Sequence, residues 1–167
     1  MMEILTLHQK MIEYMSGDAR RIQHFTKVHA FAKMIGIMEK IPADTQYILE
    51  VAALTHDIGI RMGEKKYGVG MVTGKVQEQE GPAVAKDMLE KLGCDAKVIE
   101  RVCYLVGHHH TFENIVGADY QILVEADYLV NLYEDGLPIE NVKTALEKIF
   151  KTASGIRLCE LMFGIKK

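Results

Sequence analysis

Along most of this chain the apolar residues recur at the three- and four-residue intervals of an α-helix, and no segment alternates singly as a half-buried strand would. The pattern is clearest in "DARRIQHFTKVHAFAKMIGIMEKI", where Ile22, Phe25, Val28, Ala32 and Ile35 make one buried stripe. Asp18 is placed to cap this helix, and Pro42 separates it from the next. "PADTQYILEVAALTHDIG" predicts a second helix ending near Gly59. Over residues 60–81 the periodicity fails and glycines stand at 63, 68, 70, 74 and 81, which predicts one long loop. Past Pro82, read as a first helical residue, "AVAKDMLEKLG" is a short helix closed by Gly93. "DAKVIERVCYLVGHHH" gives another, followed by a loop through Gly117. "DYQILVEADYLVNLYEDG" gives a strongly apolar helix with Asp119 as its cap. Two last helices, over residues 140–150 and 154–163, complete the set. The expectation is an all-α single-domain helical bundle over residues 1–167, with its chemistry in a core of about 20–132 and C-terminal helices over 138–167.

Composition narrows the function classes. A chain of 167 residues, 49% apolar and 26% charged, can bury one sizeable core without staples. A formal net charge of −3 exerts no general pull on nucleic acid or anionic membrane, so an anionic substrate needs local cations or a metal. Cys94, Cys103 and Cys159 are odd in number and never spaced CxxC, as in a reduced cytoplasmic protein. The N-terminal stretch "MMEILTLHQKMIEYM" mixes charge with its apolar residues and lacks the apolar centre of a signal peptide. No apolar run approaches the ~20 residues that span a bilayer. A phosphate loop of the GxxxxGK[ST] kind is missing, which argues against an ATP-driven enzyme.

Four polar side chains interrupt this apolar pattern. His56 and Asp57 stand side by side in "LTHDIG", at the end of an apolar run. Neighbours on a helix point ~100° apart, so both reach one ion only at the helix end, where Gly59 lets the chain turn. His24 shares the stripe of Val28 and Ile35; a lone histidine there is more often a hydrogen-bonded core residue. Asp127 lies in the most apolar helix, with Leu123 and Val130 one turn to either side, which argues against a solvent-facing carboxylate. A buried carboxylate must pair, take a proton or bind a cation. Two imidazoles and two carboxylates suit a divalent ion such as Mn²⁺, Fe²⁺, Ni²⁺, Zn²⁺ or Mg²⁺ with open positions for water.

The order histidine, adjacent His-Asp, then a later aspartate resembles the HD-domain superfamily of metal-dependent phosphohydrolases. The matching stretches are "RRIQHFTKVHAFA", "LTHDIG" and "LVEADYLVNL", spread over about residues 20–132. The resemblance implies a helical bundle with His24, His56, Asp57 and Asp127 as ligands of one tightly held metal. Relatives with two metals add two histidines between the pair and the last aspartate. At the first such place this chain reads "QEQEGPAVA", with Glu80 where a histidine is expected. The second corresponds to "GHHHTF", and of His108, His109 and His110 we take His109 as the inward one. Glu80, His108 and His109 are thus the candidates for a second, weaker ion.

The activity so implied is hydrolysis of a phosphoester in a nucleotide or other small phosphorylated metabolite by metal-activated water. Asp57, Glu80 and Arg21 are the candidate catalytic residues. Arg21, three positions before His24 on the same face, joins Lys65, Lys66, Lys75 and His109 as candidate substrate contacts. An oxygen-activating di-iron protein is the oxidative alternative, disfavoured by Glu80 in place of a ligand. A non-catalytic regulatory module that binds metal or nucleotide is the other. A base could stack on Tyr67, Phe112 or Tyr128, and Tyr104 to Val106 with the N-terminal helix could serve a homodimer contact.

Overall fold

The computed structural model describes residues 2–165, and among them no strand occurs. Nine helices follow in order: α1 (Ile4–Tyr14), α2 (Ala19–Met38), α3 (Ala43–Thr55), α4 (Gly59–Tyr67), α5 (Gly74–Lys91), α6 (Ala96–Val106), α7 (Ala118–Glu134), α8 (Ile139–Lys148) and α9 (Ala153–Phe163). The all-α expectation holds. None of these helices is long and apolar enough to cross a membrane.

Helix α3 is the centre. Every residue from Leu49 to Thr55 is buried, because α1, α2, α6 and α7 all pack against it. Phe25, Val28 and Ile35 of α2 and Leu123 and Leu129 of α7 close the core around it. Asp18 caps α2 as expected, accepting a hydrogen bond from the Arg21 N–H at 3.1 Å.

Four local expectations fail, each for a packing reason. Residues 60–81 are no long loop: α4 and the first turns of α5 occupy them, leaving only residues 68–73 irregular. Gly59, Gly63 and Gly81 serve close approach instead of breaking the helices, whereas Gly68 and Gly70, at positive φ, do end α4 and form the turn after it. A Cβ on Gly59 would lie 2.6 Å from the Gly81 nitrogen and 2.8 Å from the Gln77 carbonyl oxygen. A Cβ on Gly63 would crowd Val72 and Val76 at 3.0 Å. Pro82 accordingly lies inside α5, which Thr73 caps through the Val76 N–H. Asp119 does not cap α7 either. The helix starts one residue earlier, and Asp119 is buried in a two-pronged ion pair with Arg101, at 2.7 and 2.8 Å. Finally, Leu105 and Val106 are core residues, so only Tyr104 of that stretch reaches the surface.

Candidate metal centre

The corner between α3 and α4 puts His56 and Asp57 in a single turn over residues 56–58, closed by the Ile58 N–H on the Thr55 carbonyl at 2.9 Å. Packing of α2 and α7 on α3 brings His24 and Asp127 to the same point. His24 Nε2 lies 3.2 Å from His56 Nε2, 3.2 Å from Asp127 Oδ1 and 3.4 Å from Asp57 Oδ2. His56 Nε2 lies 3.5 Å from both carboxylates. On the other side of Asp57, His109 Nε2 is 3.4 Å from Oδ1. Each oxygen of Asp57 therefore faces a different histidine set.

The protons of these rings follow from their outer partners. His56 Nδ1 and His109 Nδ1 each sit 2.8 Å from a backbone carbonyl, those of Ala53 and Val106. His24 Nδ1 sits 2.9 Å from a Glu134 carboxylate oxygen. Oxygens of this kind only accept, so each Nδ1 donates, and the neutral ring offers Nε2 as a lone pair to the interior. Three lone pairs and two carboxylates then point at one another, and acceptors so arranged repel unless protons or a cation stand between them. His109 Nε2 shows it most plainly: it is buried and has no hydrogen-bond partner. Ligands held about 2.1 Å from an ion, on adjacent corners of a tetrahedron or octahedron, are roughly 3.0–3.4 Å apart, close to the spacings seen here.

The charge balance agrees. Burial pushes the His56 imidazole down, but Asp57 and Asp127 outweigh it and push it up to about 9. His24 is raised too, with burial opposing and Asp127 prevailing. Burial would lift the Asp127 carboxyl, yet His24 and His56 hold it well below the usual range. Protons can thus fill the centre, and a divalent cation can replace them. Two sets of residues come close enough to share an ion: His24, His56 and Asp57, and Asp57, His109 and His110. Asp127 adjoins the first.

The histidine triplet divides. The Tyr120 hydroxyl donates to the His108 and Thr111 carbonyls, and Glu78 Oε1 accepts from the His110 N–H at 2.9 Å, so the turn is pinned at both ends. His109 points inward. His108 turns out to stack on Tyr104 at 4.2 Å, away from the centre, and His110 takes the place beside His109 that had been given to it. Glu80 is buried but stands in neither set; it pairs with Lys66 at 2.5 Å and accepts from the Tyr67 hydroxyl. Arg21 lines the cleft over His24 and Asp57, but its guanidinium is held by Glu64 and Asp18 at 2.7 Å each. Lys65 and Lys75 are exposed. Sequence reasoning missed Glu134, which stands in the last turn of α7 and also accepts from Lys27 at 2.7 Å. Its position seven residues after Asp127, two helical turns along the same face, was the available signal.

No protein-family model and no curated protein matches the chain. Among solved structures, the crystal structure of a predicted HD superfamily hydrolase from an uncultured Thermotogales bacterium superposes with a TM-score of 0.65. The two are 25% identical, and the match covers 96% of this chain and 83% of that one. Such a likeness runs through nearly every helix that builds the centre, and the chain is similar in fold and in sequence to this predicted HD superfamily hydrolase.

Proposed function

We propose that this protein is a metal-dependent hydrolase of phosphoesters in a nucleotide or other small phosphorylated metabolite. One observation carries the metal reading: buried imidazole lone pairs and carboxylates face each other, and His109 Nε2 has no partner of its own. The Thermotogales neighbour, described as a predicted hydrolase, supports the reaction class. His24, His56, Asp57 and Asp127 would hold one ion; Asp57, His109 and His110 would hold a second, weaker one. Bound there, a divalent cation supplies Lewis acidity, drawing the pKa of water toward neutrality and charge off a phosphoryl oxygen.

The chain's own groups do the positioning. Asp57 accepts a hydrogen bond from the attacking water and aims its oxygen at phosphorus. The water oxygen forms the new P–O bond, the ester P–O bond breaks, and the leaving alcohol departs with a proton that the water gave up. Asn131, which donates to Asp127 Oδ1 at 2.9 Å, keeps that carboxylate turned to the histidines. Arg21, already ion-paired, shapes the cleft wall; Glu80 is taken up by Lys66, and Lys65 and Lys75, though exposed, do not line the cleft over His24 and Asp57.

A panel of nucleotides and phosphorylated metabolites, tested against protein loaded with each divalent metal in turn, decides this. Phosphate release that needs the metal and vanishes in Asp57→Ala is the expected result. Metal-loaded protein that releases no phosphate across the panel would overturn the reading, and two irons per chain with a charge-transfer band would point to oxidation instead.

A further inference from the structure

Two clefts open onto the centre, and their chemistry differs. The first, of about 360 Å³, is lined by His24 and Asp57 together with Arg20, Arg21 and Glu134. The second, of about 420 Å³, runs from His110 and Asp127 along Phe112, Tyr128, Leu132 and Leu137. Asn131 lies on the wall of both.

The charges near the first cleft are nearly all taken. Arg21 is held by Glu64 and Asp18, Lys27 by Glu134, and Lys66 by Glu80. Arg20 differs: its side chain is 78% exposed and, among the described residues, pairs only with Asp135, at 3.8 Å. One loosely held guanidinium suits one phosphate. A di- or triphosphate brings further negative charge that these walls do not match. The second cleft is worse for it, since Asp127 and Asp135 both face that space.

That second cleft is instead suited to an apolar group. Phe112 and Leu137 are 40% and 39% exposed on its wall, and the Phe112 ring meets Tyr128 edge-on at 5.3 Å. Large apolar side chains left half bare in a concavity beside a reactive centre are a surface on which a ligand can bury itself.

We infer that the substrate is a phosphomonoester with a single phosphate and an apolar, ring-bearing alcohol. The phosphate lies between the centre and Arg20, and the alcohol part lies against Phe112, Tyr128 and Leu137. This deepens the hydrolase reading and rests on it for the reaction, though not for the binding preference.

The test compares benzylphosphonate with methylphosphonate, which share an anionic head and differ in the ring, by calorimetry on the Mn²⁺-loaded full chain. Benzylphosphonate should bind about tenfold more tightly, from the apolar area it buries. The double variant Phe112→Ala/Leu137→Ala should erase the difference, with the fold checked by circular dichroism. Arg20→Ala should weaken both phosphonates by a similar factor. Equal binding of the two, a preference that survives the double variant, or tighter binding of a nucleoside triphosphate overturns the inference. Turnover separates it from the hydrolase reading, using benzyl phosphate and glycerol phosphate, whose leaving alcohols are comparably basic. Preferred benzylphosphonate binding with neither ester hydrolysed would sink the hydrolase reading and leave the cleft assignment standing. Hydrolysis of both at equal kcat/KM would do the reverse.

Discussion

Glu125 and Asp127 stand two positions apart on α7, both buried carboxylates, in opposite surroundings. A separation of two residues turns a helix through about 200°, so the first faces α9 and the second faces α2 and α3. Glu125, at 0% exposure, finds its donors within the chain: the N–H groups of Lys151 and Thr152 at 2.7 and 2.9 Å, the Thr152 hydroxyl, and the Gln121 amide. These lie at the start of α9, where unsatisfied N–H groups and the helix dipole favour an anion. Asp127 has one neutral donor, Asn131, and otherwise meets imidazole Nε2 atoms that suit it only when a proton or a cation stands between them. A third acidic residue of the same helix, Asp119, is closed off by Arg101. Burial of a carboxylate is therefore no sign of chemistry by itself. What marks a reactive centre is burial without enough donors of the protein's own.

The contrast can be broken by exchanging the fates of the two residues. The largest effect is expected at the centre. Asp57→Ala should lower metal-dependent phosphate release by a thousandfold or more, above ~4 kcal/mol in the barrier, while unfolding stays cooperative. Glu125→Ala should instead act on stability, lowering the urea-unfolding free energy by about 3 kcal/mol or more, because two part-buried N–H groups and the Thr152 hydroxyl lose their acceptor. A loss below ~1 kcal/mol would mean that water replaces the carboxylate and that the contrast is overstated. Added metal sharpens the comparison further. At a hundredfold excess over Kd, Mn²⁺ should stabilise the wild-type chain by about 2.7 kcal/mol and leave Asp127→Ala unmoved. The smallest effect belongs to Glu134. Replacing it by Gln should weaken metal binding roughly 10- to 100-fold by loosening His24, whereas Lys27→Ala, which removes the more exposed partner of Glu134, should change it by less than about threefold. Equal affinity in wild type and Glu134→Gln, read by calorimetry, would remove Glu134 from the centre.

How much of this was legible beforehand varies from element to element. Helix α2 was plain because its stripe, its cap at Asp18 and the proline after it all lie within one short stretch and agree. Helices α4 and α5 were not, because Gly59, Gly63 and Gly81 look like breakers in one dimension and act as contact points between two helices in three. His24, His56, Asp57 and Asp127 stood out against an apolar background, and geometry then brought both imidazoles within 3.5 Å of each carboxylate. Arg21 looked like a free cation, and only the fold reveals Glu64, 43 residues away in the chain, as its partner.

The sequence alone determined that the chain is helical, where most helices start and stop, and which polar residues lie on faces that must be buried. These follow from periodicity and capping, which act over a few residues. The tertiary structure alone decided that His109 and not His108 turns inward, that Glu134 backs His24, and that Glu125 is closed off while Asp127 is left short of donors. Each depends on a partner dozens of residues away, and packing chooses that partner, whereas spacing along the chain does not.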